Sequence, residues 1–290
     1  MENHPPARKV VTRAPWRTVR LLNMPGLFPA PVECESSLER DFVYRAALCP
    51  WIADLRHQPL RLELPEGRWY TPDFLVRHTD DSTCLVEVKP LSKVDRNAAM
   101  FDQAASALRG QGFGFLVLTE REIRRNRAHE RASYILRHRK SVFGADESRR
   151  VVDLLSGAQS GSLDIAALCL RAQVSVGCVL HLLASRRLVA SRVHEIHTGA
   201  CVAAVNGKDT HHAVHVHEWF DAQEWSAHTG ADTSTQRDGA SVRGRADPAS
   251  EDAQDCRSAQ ASLERALSGC AGRGFADEKR ERRAASYLVA

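Results

Sequence analysis

Two apolar runs that read as neighbouring strands, one containing Leu75 and Val76 and the other Leu85, Val86 and Val88, are interrupted by Asp73, Glu87 and Lys89. Charges inside a buried sheet are costly unless something compensates them, so the pattern asks for a ligand. Side chains two apart on a strand share a face. Glu87 and Lys89 therefore project together, and a neighbouring strand can bring Asp73 beside Glu87. Two carboxylates and an ammonium then meet at one point of the sheet.

The surrounding sequence supplies a scaffold for that point. Ser36 or Ser37 can cap a helix in which Leu38, Phe42 and Ala46 recur at four-residue spacing until Pro50 stops it. Three strands are expected around 55–64, 69–77 and 83–88, separated by Pro-Glu-Gly and Asp-Asp-Ser turn signals. A helix over 97–109 ends at Gly110 and Gly112, and the unbroken apolar run 113–118 reads as a buried strand. The order is αβββαβ, a mixed α/β core, assigned to residues 34–143. Before it, 1–33 is a Pro- and Arg-rich basic arm. After it, 144–198 reads as three short helices (148–155, 163–170 and 176–184) followed by a strand over 188–196, the pattern of a winged helix-turn-helix that binds DNA or protein. From 199 to 290 large apolar residues are few and a low-order, disordered tail is expected, with a short helix near 259–267.

The donor types suit Mg²⁺, with Mn²⁺ as a substitute, because hard cations take carboxylate oxygens and keep several waters. Such a cation polarises a phosphodiester and raises the hydroxide fraction of bound water, and a lysine beside it can position that water. The net charge of +4 is modest, but Arg121, Arg124, Arg125, Arg127, Arg137, Arg139 and Lys140 fall in one stretch that would suit a helix facing DNA phosphates. Eight cysteines without a CxxC pair argue against a zinc knuckle. No apolar run approaches the roughly 18 residues of a spanning helix, so a cytoplasmic protein without a membrane segment is expected. The cluster His211, His212, His215 and His217 reads as a solvated segment rather than a metal site, His194 and His197 as surface residues of a wing, and Gly110, Gly112 and Gly114 lack the lysine of a phosphate loop.

Taken together, Gly26-Leu27-Phe28-Pro29, Glu35-Ser36-Ser37-Leu38-Glu39-Arg40-Asp41-Phe42, Gln58-Pro59, Tyr70-Thr71-Pro72-Asp73-Phe74 and Glu87-Val88-Lys89-Pro90 resemble the TnsA family, restriction-endonuclease-like subunits of heteromeric transposases. The likeness runs from about Gly26 to Glu120 and less clearly to about Ile196. It implies Glu39, Asp73, Glu87 and Lys89 as catalytic residues, with Glu39, Asp73, Glu87 and Val88 as the metal set. It further implies cleavage of the 5′ strands at transposon ends. The implied partners are DNA, an RNase H-like (TnsB-like) transposase subunit and an ATP-binding (TnsC-like) regulator. A stand-alone restriction or repair nuclease of the same fold and a catalytically silent assembly adaptor are the competing readings.

Overall fold

A computed structural model describes residues 20–190, 199–205 and 214–226. The strand expected over 188–196 is described only at its start, and most of the basic arm, His194, His197, His211, His212 and the helix near 259–267 lie outside the described residues.

The chain opens with a small antiparallel pair, β1 (Arg20–Leu22) and β2 (Val32–Cys34). Helix α1 (Ser37–Ala46) follows; the Ser36 hydroxyl accepts from the Glu39 N–H at 3.1 Å, and a Glu39 carboxylate oxygen accepts from the Glu35 N–H at 2.7 Å. Next come β3 (Ile52–His57), β4 (Leu62–Leu64), β5 (Arg68–Tyr70), β6 (Phe74–His78) and β7 (Thr83–Val88). Helix α2 (Ala98–Arg109) then crosses over to β8 (Gly114–Leu118). The main sheet has the order β3-β6-β7-β8, antiparallel except for β8, which runs parallel to β7. A parallel neighbour needs a long crossover, and α2 is that crossover.

Alternation along the strands divides the core. Phe74, Val76, Val86, Val88, Leu116 and Leu118 pack with α1 on one face, while Leu85 and Phe115 pack with α2 and the β4–β5 hairpin on the other. Glu87 belongs to the α2 face because it lies two residues from Leu85.

Two expected strands are each broken in the structure. The segment 55–64 divides at Gln58-Pro59 and the segment 69–77 divides at Thr71-Pro72, so that β4 and β5 form their own hairpin. A proline has no N–H to give a ladder. The expected basic helix is broken too, into α3 (Glu120–Ile123), a 3₁₀ turn, and α4 (Ala128–Arg137), because Asn126 and Arg127 adopt positive φ of 47° and 59°.

The remaining elements are α5 (Ala145–Gly157), β9 (Ser162–Asp164), α6 (Ile165–Ala172), α7 (Val176–Ala184), β10 (Leu188–Ala190), β11 (Cys201–Ala204) and α8 (Val216–Phe220). The start of the helix expected at 163–170 is instead a strand; β9, β11 and β10 form a three-stranded sheet in that order. The Asp164 side chain, accepting from the Ala167 N–H at 2.8 Å, marks where strand gives way to helix.

This helical module is locked to the sheet domain by Arg186, which has a positive φ of 58°. Its guanidinium donates to the carbonyls of Ala46, Ala47, Leu27 and Ile52 at 2.7–3.3 Å and lies over the Phe28 ring. Ala46 and Ala47 end α1, where carbonyls lack helical partners and a cation is favoured. Burial lowers the Arg186 pKa to about 10. Arg186→Ala strands several buried carbonyls at once and is expected to cost about 3 kcal/mol or more, read as a shift in the urea unfolding midpoint.

The segment from 199 onward is not uniformly of low order. β11 completes the small sheet, and α8 inserts Val216 and Phe220 into the main core, with the Phe220 ring stacked on Phe42 at 5.2 Å between centroids. Arg45, fully buried in α1, donates to the Glu122, Ile123 and Trp219 carbonyls, and the Trp219 indole N–H returns a bond to the Arg45 carbonyl at 3.0 Å. Trp225 reaches the opposite face, where its indole N–H donates to Asp102 at 2.8 Å and its ring meets Phe101 edge-on. Four large apolar side chains between Val216 and Trp225 outweigh the polar surroundings that suggested a tail.

Among the described residues, no single helix is long and apolar enough to cross a membrane.

Candidate active site

The pairing of β6 with β7 sets Phe74 opposite Val86, and one further step along that register sets Asp73 opposite Glu87. Asp73 sits at the strand's entry, just after Pro72. Its carbonyl accepts from the Gln58 N–H at 2.7 Å, and its carboxylate Oδ2 accepts from the Val88 N–H at 2.8 Å. Glu87 is only 2% exposed. Both of its oxygens are engaged, Oε1 by the Lys89 ammonium at 2.5 Å and Oε2 by the Tyr70 hydroxyl at 2.6 Å.

The electrostatics of the cluster are those of an under-neutralised anion. Burial first, then Glu87 and Glu39, push the Asp73 carboxyl well above the ordinary range despite the Val88 N–H and Lys89. Glu39 is likewise raised, by burial outweighing its hydrogen bonds. Burial disfavours the Lys89 ammonium, but Glu87, Asp73 and Glu39 outweigh it and hold the lysine above its usual pKa. Tyr70 is held well above the usual tyrosine value by burial and by Glu87, so its hydroxyl is a donor at every working pH.

Of the residues expected from sequence, Asp73, Glu87, Lys89 and the backbone of Val88 come together. Glu39 is close enough to be felt by Asp73 and Glu87, but its carboxylate is turned onto the Glu35 N–H and stands beside the pair rather than in it. Among the described residues no three His, Cys, Asp or Glu side chains converge on a point that could hold a metal ion. Two adjoining carboxylates with excess negative charge nevertheless fit a hydrated divalent cation such as Mg²⁺, which is commonly held by one or two carboxylates and completes its shell with water and phosphate oxygens.

The basic stretch divides by partner. Arg124 is bound by Asp41 at 2.8 Å and Ser37 at 3.1 Å, Arg125 pairs with Asp221, and Arg127 pairs with Glu130 at 2.5 Å. Arg121 is exposed on α3. Arg137, Arg139 and Lys140 line a cleft of about 830 Å³, where Arg20, Arg40 and Tyr44 join them. The two carboxylates there are already engaged, Asp41 by Arg40 and Arg124 and Glu130 by Arg127. The cleft is therefore positive, and Arg40 follows Glu39 directly on α1. Sequence reasoning placed Arg20 only in the basic arm and missed Arg40 and Tyr44; the fold alone brings all three to Arg137. It also missed Tyr70, although the residue stands in the motif string itself.

His215 pairs with Asp80 at 2.8 Å and stacks on His78 at 4.7 Å between ring centroids, a polar seam between α8 and the sheet. Cys34, Cys49, Cys84, Cys169 and Cys178 are free and buried.

No curated protein matches the sequence. Residues 49–120, which include Tyr70, Asp73, Glu87 and Lys89 but not Glu39, match the family model described as TnsA-like endonuclease N terminal. Over those residues the chain is similar to the N-terminal domain of TnsA-like endonucleases, which supports a TnsA-family endonuclease of the PD-(D/E)xK type.

Proposed function

We propose that the chain is the metal-dependent DNA endonuclease subunit of a heteromeric transposase and hydrolyses the 5′ strands at transposon ends. The observation that carries this reading is the meeting of Asp73, Glu87 and Lys89 inside the matched segment. When bound, Mg²⁺ or Mn²⁺ would polarise the phosphodiester and lower the pKa of a coordinated water. Asp73 and Glu87 are the oxygen donors that hold the cation, and Glu39 adds negative charge nearby. Lys89, kept as an ammonium by its carboxylate neighbours, orients the attacking water and offsets charge on the phosphate oxygens.

DNA phosphates lie in the cleft of Arg20, Arg40, Arg137, Arg139 and Lys140, with Arg121 at a second exposed position. Such contacts position a duplex without reading its sequence. The helical module, which we read as a winged helix, offers little for reading bases. No residue of α7 is exposed; His181 contacts the His138 carbonyl at 3.0 Å, and Gly177 lies under the Phe143 ring. A recognition helix must present a free face to the major groove. Selection of the ends therefore falls to an RNase H-like transposase partner, under an ATP-binding regulator.

The test is cleavage of end-containing DNA by this chain, by the genetically adjacent transposase and by both, with Mg²⁺ or with excess chelator. Cutting of the 5′ strand only when both proteins and Mg²⁺ are present is expected, and Lys89→Ala should lower its rate by about 100-fold in a protein that still folds, with a lowered melting temperature because buried Glu87 loses its cationic partner. Efficient, position-specific double-strand cutting by this chain alone would instead identify a stand-alone nuclease.

A further inference from the structure

We infer that Tyr70 is a positioning residue of the active site: its hydroxyl fixes Oε2 of Glu87 and thereby leaves Oε1 as the oxygen that exchanges Lys89 for a divalent cation. This rests on the metal-nuclease reading above and adds to it a residue outside the set of carboxylates and lysine.

The geometry of Glu87 carries the inference. A free carboxylate on a strand rotates about its last torsion, which is broad and roughly two-fold. In this site it cannot do so without breaking one of two short bonds, to Tyr70 at 2.6 Å and to Lys89 at 2.5 Å. The two partners differ in kind. Lys89 is a cation on a long side chain that remains about a quarter exposed, so another cation can replace it and leave it to face water. Tyr70 is a neutral donor on a ring that is held on several sides.

That ring is 6% exposed and meets Phe101 and Phe115 edge-on at 6.5 and 6.2 Å, and Trp225 closes behind Phe101 at 5.3 Å. The backbone of Tyr70 pairs with Leu62 in the β4–β5 hairpin. The hydroxyl is thus delivered to Glu87 by an element separate from the strands that carry Asp73 and Glu87. Partners of this type, which orient a ligating side chain without touching the metal, typically contribute 10- to 100-fold in metal affinity.

Calorimetric titration with Ca²⁺, which occupies such a site without the turnover that would complicate the reading, tests the inference on the whole protein. Tyr70→Phe keeps the ring and removes only the hydroxyl; Ca²⁺ affinity is expected to fall at least 10-fold, and the Mg²⁺ concentration giving half-maximal cleavage to rise in parallel. Phe101→Leu loosens the same aromatic packing but leaves the Tyr70–Glu87 bond, and is expected to lower the melting temperature while preserving Ca²⁺ affinity. Wild-type affinity in Tyr70→Phe would overturn the positioning role, as would an equal loss in Phe101→Leu, which would make the effect one of packing. A wild-type protein that binds neither Ca²⁺ nor Mn²⁺ would overturn the metal reading itself and this inference with it. The wild-type titration thereby separates the two failures.

Discussion

Asp73→Asn is expected to raise the melting temperature of the cation-free protein by about 4 °C while lowering cleavage about a thousandfold or more. Both effects follow from one cause. Burial and the neighbouring Glu87 and Glu39 hold the Asp73 carboxyl above its ordinary range, so the ionised form that a cation needs is the form the empty fold tolerates least. A carboxylate whose pKa is raised on folding binds more protons in the native state. Its stabilisation is therefore present below the ordinary carboxylate range and is lost as pH rises through the elevated native value. Asparagine keeps an oxygen for the Val88 N–H and removes the charge. Thermal melts of both proteins without cation, from pH 4 to 8, should show wild type losing ground to Asp73→Asn as pH rises. Added Mg²⁺ should then stabilise only wild type, by mass action. A destabilised Asp73→Asn at neutral pH would mean that the carboxylate is structurally satisfied and the site is not strained toward a cation.

The second large effect lies far along the chain. Phe220→Ala should cost about 3–5 kcal/mol, because the ring is fully buried, stacked on Phe42 and covered by the Arg45 guanidinium at 4.3 Å. Leu170→Ala, which truncates a half-exposed side chain on α6, should change stability by only about 0.5 kcal/mol. Urea unfolding followed by circular dichroism compares them. Equal, small effects would mean that α8 adds little to the core and that the nuclease domain is complete without it.

That contrast also shows what a sequence discloses. α1 is legible because Leu38, Phe42 and Ala46 keep helical spacing behind a serine cap, and β7 and β8 because apolar residues fill both of their faces. The meeting of Asp73 with Glu87 follows from a period of two and one tight turn, both visible in the string. α8 is not legible, because Val216, Trp219 and Phe220 stand among histidines and acids in a segment too short to establish a period. What identifies it is the packing of Val216 and Phe220 into the core that α1 shares with the sheet. Tyr70 is hidden for a related reason. It precedes Pro72, where the strand breaks, and its contact with Glu87 depends on a separate hairpin whose existence turns on two prolines. The basic run shows the reverse error, since charge density alone does not distinguish Arg124, Arg125 and Arg127, which are spent on Asp41, Asp221 and Glu130, from Arg137 and Lys140 in the cleft.

The most direct test of the central claim is 5′-strand cleavage of end-containing DNA by wild type and by Glu87→Ala, each mixed with the partner transposase in Mg²⁺, with product ends mapped at nucleotide resolution. The account predicts 5′-strand products from wild type and none above background from Glu87→Ala, while 3′-strand cutting by the partner continues in both mixtures. Equal 5′-strand cleavage by the two proteins would place the active centre elsewhere and contradict it.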